Sequence, residues 1–200
     1  SLVKNANSIW LNGNPLKKDL TKYLNREVNI ENDANCFALS EAVDGAGKDY
    51  KVIFGVIIGT GTGGGIIINK KIIQGMNQIG GEWGHTPLPN RTLDDKKYSS
   101  PCFCGLEGCM ETYVSGPGFT DIYNKRNNQN FNSHQIIESF KLGNDLAILA
   151  LNNYINHLAR GLAIVINILD PEIIVLGGGM SNIDFIYEKI NSELKKYVVS

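Results

Sequence analysis

Lys51-Val52-Ile53-Phe54-Gly55-Val56-Ile57-Ile58 runs into Gly59-Thr60-Gly61-Thr62-Gly63 and out again through Gly64-Gly65-Ile66-Ile67-Ile68-Asn69. The first block is apolar and rich in β-branched residues, which predicts a strand. The glycine–threonine run predicts a turn, and the third block predicts a second strand. Asn69-Lys70 then turns into Lys71-Ile72-Ile73, so the region reads as a meander of hairpins. The turn satisfies G-x-G-x-x-G, but a dinucleotide-binding turn opens a helix and this one opens a strand. Two readings stay open. The loop wraps a phosphate with backbone N–H groups and Thr hydroxyls, or it is a glycine-rich hairpin with no ligand.

Working outward, Leu16 to Leu24 has the apolar spacing of a short amphipathic helix, and Glu27 to Glu31 alternates as a short strand. Asn32-Asp33 leads into a second helix through Ala34-Asn35-Cys36-Phe37-Ala38-Leu39-Ser40-Glu41-Ala42, with Asp33 at the N-cap position. Gly45-Ala46-Gly47 marks a boundary, giving an expected division into 1–46 and 47–200. Downstream, 75–100 reads as loop built around Gly80 to His85. Helix is expected after Gly118, with an Asn-rich loop from Tyr123 to Asn132. A long helix follows from about Asn144 to Leu169, stopped by Asp170-Pro171. Glu172 to Leu176 predicts a buried strand, Gly177-Gly178-Gly179 a turn, and Asn182 to Tyr197 a final helix. The alternation places the chain in the α/β class.

Composition narrows the function. With 200 residues, 42% of them hydrophobic, the chain can bury a core of one domain or parts of two. Nineteen Lys+Arg against 20 Asp+Glu leave a net charge of -1, which argues against nucleic-acid and membrane-surface partners. The longest apolar run, Leu158 to Leu169, is broken by Arg160, Gly161 and Asn167 and reads as no membrane span. The chain opens Ser1-Leu2-Val3-Lys4-Asn5 with no Met, so it is expected to be a processed chain or a piece of a longer one. The 22 glycines cluster at 59–65, 80–84, 105–118 and 177–179, where backbone turns tightly or meets a ligand.

Three further groups carry chemistry. Cys102, Cys104 and Cys109, with His85 seventeen positions upstream of the first, supply the three thiolates and one imidazole of a tetrahedral zinc site. A disulfide or plain buried thiols are the alternatives, and nothing in the sequence signals secretion. A complete four-ligand set makes the metal structural. Cys36 reads as a small core residue. Asp33 is either a helix cap or a carboxylate facing a cleft, poised to accept a hydroxyl proton in phosphoryl transfer. Glu82, His85 and Glu111 either hydrogen-bond a polyol from beside the metal loop or are surface groups near it. His134 and His157 read as helix-surface or core residues.

Taken together, Asn32-Asp33-Ala34-Asn35 with Ser40-Glu41-Ala42, Ile58-Gly59-Thr60-Gly61 with Gly63-Gly64-Gly65, Gly81-Glu82-Trp83-Gly84-His85 and Cys102-x-Cys104-Gly105-x-x-Gly108-Cys109-x-Glu111 resemble the motifs of the ROK family of sugar kinases. The resemblance covers essentially the whole chain. It implies the actin-like ATPase (RNase H-like) fold, with part of the first lobe, most of the second and a zinc-bound loop. It implies Asp33 as general base and Asn7, Asn32, Asp33, Glu82, His85 and Glu111 as sugar ligands. Gly59, Thr60, Gly61, Thr62, Gly63 and Gly64, with Gly177, Gly178 and Gly179, then face ATP and its Mg²⁺, and His85, Cys102, Cys104 and Cys109 hold structural Zn²⁺. Lys4 to Ser8, Glu41 to Gly45, Gly84 to Pro89 and Asn167 to Pro171 are most similar to the bacterial fructokinases of that family. The implied reaction is ATP-dependent phosphorylation of fructose at its 6-hydroxyl, by a cytoplasmic homodimer. N-acetylglucosamine kinase, glucokinase and sugar-responsive repressor are the alternatives within the family. Family members open with a strand and an Asp-x-Gly-Gly-Thr turn that this chain lacks, so the chain by itself is expected to show little activity.

Overall fold

The computed structural model describes residues 2–3 and 9–199, so Asn7, expected at the sugar site, lies outside the described residues. The chain packs as two compact units, 1–33 and 34–200.

In the first unit a 3-10 turn (Ile9–Leu11) precedes helix α1 (Leu16–Leu24). The Gly13 N–H donates to the Val3 carbonyl at 2.9 Å and joins Val3 to this turn. Asn25 closes α1 in the left-handed conformation at φ 49°, its N–H returning to the Thr21 carbonyl. Lys17 Nζ donates to Asn29 Oδ1 at 3.0 Å and ties the following segment to the helix. That segment, 27–31, differs from expectation. It alternates like a strand but joins no sheet among the described residues, because alternation makes a strand only where a neighbour supplies the ladder partners.

The second unit is built on a four-stranded sheet in the order β3-β2-β1-β4, with β1 Val52–Ile58, β2 Thr62–Ile68, β3 Lys71–Ile72 and β4 Ile173–Gly177. β1 and β2 are antiparallel in the register Gly55↔Gly65, and β1 and β4 are parallel, Ile57 opposite Gly177. Alternation along β1 sends Ile53 to one face and Phe54, Val56 and Ile58 to the other. Helix α2 (Asp33–Val43) covers the first face with Ala34, Ala38 and Ala42. It approaches very closely: a Cβ on Gly65 would stand 2.7 Å from the Ala38 methyl, and one on Gly55 at 2.6 Å. Paired glycines under an alanine stripe therefore set the helix–sheet distance. Cys36 lies off this stripe and is exposed, which corrects its reading as a core residue.

The opposite face carries the larger core, built from α3 (Leu93–Tyr98), α4 (Glu111–Val114), α5 (Gly116–Asn127), α6 (Ser133–Lys141), α7 (Asp145–Leu169) and α8 (Asp184–Leu194). The long helix α7 matches its expected span, with Asn144 capping it through the Ala147 N–H at 3.1 Å. Three local expectations change. The first turn is only Gly59–Gly61, because Thr62 already pairs with Ile58. The loop expected over 75–100 contains α3, which a Thr92–Asp95 capping box nucleates. Helix begins before Gly118, in α4 and α5, and the Asn-rich loop shrinks to 128–132. No helix among the described residues is long and apolar enough to cross a membrane.

One buried network holds α3 to α7. Asp95 Oδ1 meets His157 Nε2 at 2.8 Å, and Asp95 Oδ2 accepts from both terminal nitrogens of Arg160 at 3.0 Å, with side-chain exposures of 5–8%. Burial alone raises the Asp95 pKa, but the His157 hydrogen bond, the Thr92 N–H and Arg160 bring it on balance well below the usual carboxylate range. Burial lowers the His157 pKa, outweighing the Asp95 carboxylate that raises it. Both shifts have the same sign for stability. The unfolded chain binds these protons more readily, so stability falls as pH drops below about 6.5 through His157, and again below about 4 through Asp95. Asp95→Asn leaves Arg160 buried without its counter-charge and should cost about 3–5 kcal/mol. Urea denaturation at pH 7 checks this; a loss under about 1 kcal/mol would count against it.

Candidate active site and metal centre

The metal loop is anchored before any ion is considered. Pro87 and Cys109 form an antiparallel bridge, with the Leu88 N–H donating to the Gly108 carbonyl and the Met110 N–H to the Thr86 carbonyl, both at 2.8 Å. The Cys102 N–H reaches the Leu106 carbonyl at 3.0 Å and folds the Cys102–Cys109 segment back on itself. As a result His85, Cys102, Cys104 and Cys109 present ligand atoms within 4.8 Å of one another. Cys102 Sγ lies 3.5 Å from His85 Nδ1, and Cys104 Sγ lies 3.7 Å from Cys109 Sγ. A tetrahedron with Zn–S bonds of ~2.3 Å and a Zn–N bond of ~2.0 Å has edges of about 3.5–3.8 Å. A disulfide needs ~2.05 Å between sulfurs, so the spacing suits a shared cation and not a bridge. Burial and the neighbouring sulfurs push the Cys109 thiol up to about 12. Thiols this close ionise together only around a positive charge.

The strip carrying Glu82 and His85 is held by Trp83. Its indole is buried edge-on to Phe54 with ring centroids 6.2 Å apart, and Nε1 donates to the Gly161 carbonyl of α7 at 3.1 Å. Gly84 lies flat against β2, where a Cβ would overlap the Thr62 carbonyl. Glu82 is exposed at the start of the 3-10 turn Trp83–His85, and its carbonyl accepts the His85 N–H at 3.2 Å. His85 turns Nδ1 toward Cys102, which leaves Nε2 for any second partner.

The two glycine turns meet at the carboxyl edge of the parallel strands. A Cβ on Gly59 would stand 3.9 Å from both Gly178 Cα and Gly179 N. Gly178 has φ +88° and packs on the Ile58 carbonyl, a conformation and a closeness that a side chain forbids. In an open α/β sheet this edge is where ligands bind. Gly63 and Gly64 sit inside β2, and Gly64 lies beneath the Phe54 ring and the Gly81 carbonyl. Thr60 is exposed, whereas Thr62 is buried with its N–H donating to Glu111 Oε2 at 2.9 Å. Gly177 ends β4 and Gly179 opens the 3-10 turn Gly179–Asn182. Asn32 and Asp33 belong to the first unit, and Asp33 is the first residue of α2, one position inside the cap position expected of it.

The sequence reading missed two contributors. Gly116 donates its N–H to the Gly59 carbonyl at 2.8 Å, a link with no local signature. The Asp95–His157–Arg160 network was half legible, because His157 and Arg160 stand three apart on one helix face; their partner is over sixty residues away.

Comparison with known proteins places this geometry. A sequence profile described as the ROK family matches residues 1–200. The N-acetyl-D-glucosamine kinase of Yersinia enterocolitica is 41% identical over 190 residues, which are 94% of this chain and 63% of that protein; this chain thus spans under two thirds of that relative's length. Among solved structures, the ROK hexokinase from Thermus thermophilus superposes with a TM-score of 0.83 at 26% identity, over 94% of this chain and 61% of that one. A ROK family glucokinase from Streptomyces griseus, in complex with glucose and AMPPNP, gives a TM-score of 0.80 at 25% identity, over 95% of this chain and 64% of that one. The fold is thus the actin-like ATPase fold of the α/β class. With the profile matched from end to end and glycine turns, Trp83-held strip and Cys/His cluster assembled in one unit, the chain belongs to the ROK family.

Proposed function

We propose that this chain carries the catalytic segment and zinc-loop lobe of an ATP-dependent hexose kinase whose sugar is N-acetyl-D-glucosamine. The observation that carries the reading is the 41% identity to the Yersinia enzyme across 94% of the chain. It displaces the fructose expectation in favour of the N-acetylglucosamine alternative. The division into lobes at 46/47 and the homodimer belong to the same proposal.

In this reading Asp33 accepts the proton of the sugar 6-hydroxyl as that oxygen bonds to the γ-phosphorus of ATP. The bond from phosphorus to the β-bridging oxygen breaks, and ADP leaves. Asn7, Asn32, Glu82 and Glu111 take sugar hydroxyls, joined by His85 through Nε2. The turns at Gly59–Gly61 and Gly177–Gly179, with Thr60, Thr62 and the adjoining Gly63 and Gly64, serve the nucleotide. Magnesium bound with ATP supplies charge neutralisation at the phosphates. His85, Cys102, Cys104 and Cys109 hold zinc, which supplies rigidity to the strip that presents Glu82 and His85.

A coupled assay of ADP release on the intact protein, with N-acetylglucosamine, glucose and fructose in parallel, tests the reading. We expect kcat/KM highest for N-acetylglucosamine and at least about tenfold lower for fructose, since a site built to pair an acetamido group is left with unpaired polar groups by a ketose. Preference for fructose would reverse the sugar assignment. Turnover with none of the three would remove the kinase reading.

A further inference from the structure

We infer that Glu111 is a positioning residue for the phosphate turn, linking the metal loop to the nucleotide side of the site in addition to any sugar contact. The inference rests on the kinase reading. Its geometry is independent of it.

The turn Gly59–Gly61 is held at both ends by one short segment. At its far end the Thr62 N–H donates to Glu111 Oε2 at 2.9 Å. At its near end the Gly59 carbonyl accepts the Gly116 N–H at 2.8 Å. Glu111 opens α4, Gly116 opens α5, and Ser115 between them caps α5 by accepting the Gly118 N–H at 3.0 Å. Inside the turn the Gly59 N–H donates to the Gly61 carbonyl at 3.0 Å. The shape of the turn is thus imposed by residues 111–116, which follow directly on Cys109.

Glu111 is an odd neighbour for phosphates. An unengaged carboxylate beside a phosphate loop repels its ligand, whereas one spent on a backbone N–H fixes that backbone and loses part of its field. The close fit shows on the other side as well. Oε2 lies 2.9 Å from where a Cβ on Gly61 would stand, so the carboxylate fills the space that the glycine leaves. Since a carboxylate has two oxygens, Oε1 remains for a sugar hydroxyl, and sugar and nucleotide then share one side chain.

The test is calorimetric titration of the intact protein with ADP, with adenosine, and with N-acetylglucosamine, each added alone. Glu111→Ala should weaken ADP about tenfold and leave adenosine unchanged, the loss expected for one hydrogen bond to a charged group. Glu111→Gln keeps an acceptor for the Thr62 N–H and should hold ADP near the wild-type affinity. Exchange of the Thr62 amide with deuterium should quicken in the alanine variant only. Gly61→Ala pushes the carboxylate aside and should also weaken ADP, but should cost less in a Glu111→Ala background, where the obstructing oxygens are gone. Loss of sugar affinity alone, with ADP unaffected in Glu111→Ala, would overturn the proposal and leave Glu111 a sugar ligand only. Equal losses for ADP and adenosine would overturn it in favour of general disorder. Failure of the wild type to bind either ADP or sugar would instead overturn the kinase reading, and this proposal with it.

Discussion

If the Cys/His cluster holds zinc as proposed, Cys109→Ser should abolish metal binding and remove a large part of the protein's stability. Cys109 is buried at the end of the loop, 3.7 Å from Cys104 Sγ, and is flanked on both sides by the bridge to Thr86, Pro87 and Leu88. Serine offers a harder, shorter ligand atom in a position shaped by a sulfur. The three remaining ligands cannot close a tetrahedron. Because a metal that binds only the folded chain adds its binding free energy to folding, its loss falls on the loop and on what the loop braces. Those dependants are named by the structure: the Glu82–His85 strip through His85, and the Gly59–Gly61 turn through Glu111, two residues beyond Cys109. A destabilisation of about 4 kcal/mol or more is expected, or roughly 10 °C in Tm for a unit of this size. Elemental analysis should find one zinc per chain in the wild type purified without chelator and none in the variant. Chelation of the wild type should reproduce the fall in Tm by differential scanning calorimetry. Wild-type protein that carries no metal, melts at the variant's temperature and ignores chelator would end the zinc assignment.

The parts of this molecule that were legible in its sequence are those whose cause is local. Ile53 to Ile58 and Ile66 to Ile68 are β-branched runs flanking glycine, and they are strands because short-range packing on a pleated surface decides them. Asn144 and Asp170 bracket α7 because a cap and a following proline act within a few residues. The convergence of His85, Cys102, Cys104 and Cys109 was legible because three cysteines spaced by glycines in one short loop can fold back on themselves. What stayed hidden depends on partners distant in sequence. The segment 27–31 has strand alternation and no ladder among the described residues. Cys36 looks apolar, but α2 needs its stripe at Ala34, Ala38 and Ala42, each fitted over Gly55 or Gly65 or in the small core beside Ile53 and Ile67. Glu111 reads as one more acid near a metal until Thr62, 49 positions back, is seen to donate to it. Helix α3 does have a local cause: Thr92-Leu93-Asp94-Asp95 spells a capping box, with Asp standing where Glu or Gln is usual. Its second function, as the counter-charge of Arg160, required the fold.

Asp33→Asn separates the two roles that one residue could fill. Asp33 is the first residue of α2, an acidic group in the first turn, where a carboxylate favours the helix dipole and where its type can be explained without catalysis. Asparagine at this first helical position forgoes only the favourable interaction of the charge with the helix dipole, so if helix initiation were its whole task, the substitution would change stability little and leave turnover within a factor of a few. A general base is a different requirement. The amide has the shape of the carboxylate and keeps an acceptor oxygen for a hydroxyl, but it cannot take a proton at neutral pH, so under the proposed kinase function the sugar should still bind while its 6-oxygen no longer becomes a nucleophile. Loss of a positioned base typically costs about 10²- to 10⁴-fold, and we expect kcat to fall by that factor in the intact protein. The affinity for N-acetylglucosamine should stay within about threefold, and the change in unfolding free energy should stay below about 1 kcal/mol, the scale of a lost dipole interaction. Single-turnover kinetics with saturating ATP isolate the chemical step from product release. A kcat within threefold of wild type would return Asp33 to the helix and require another base. A fall in kcat accompanied by an equal fall in stability would show a structural loss instead, since the proton is needed only when the phosphoryl group moves and not for the helix to form.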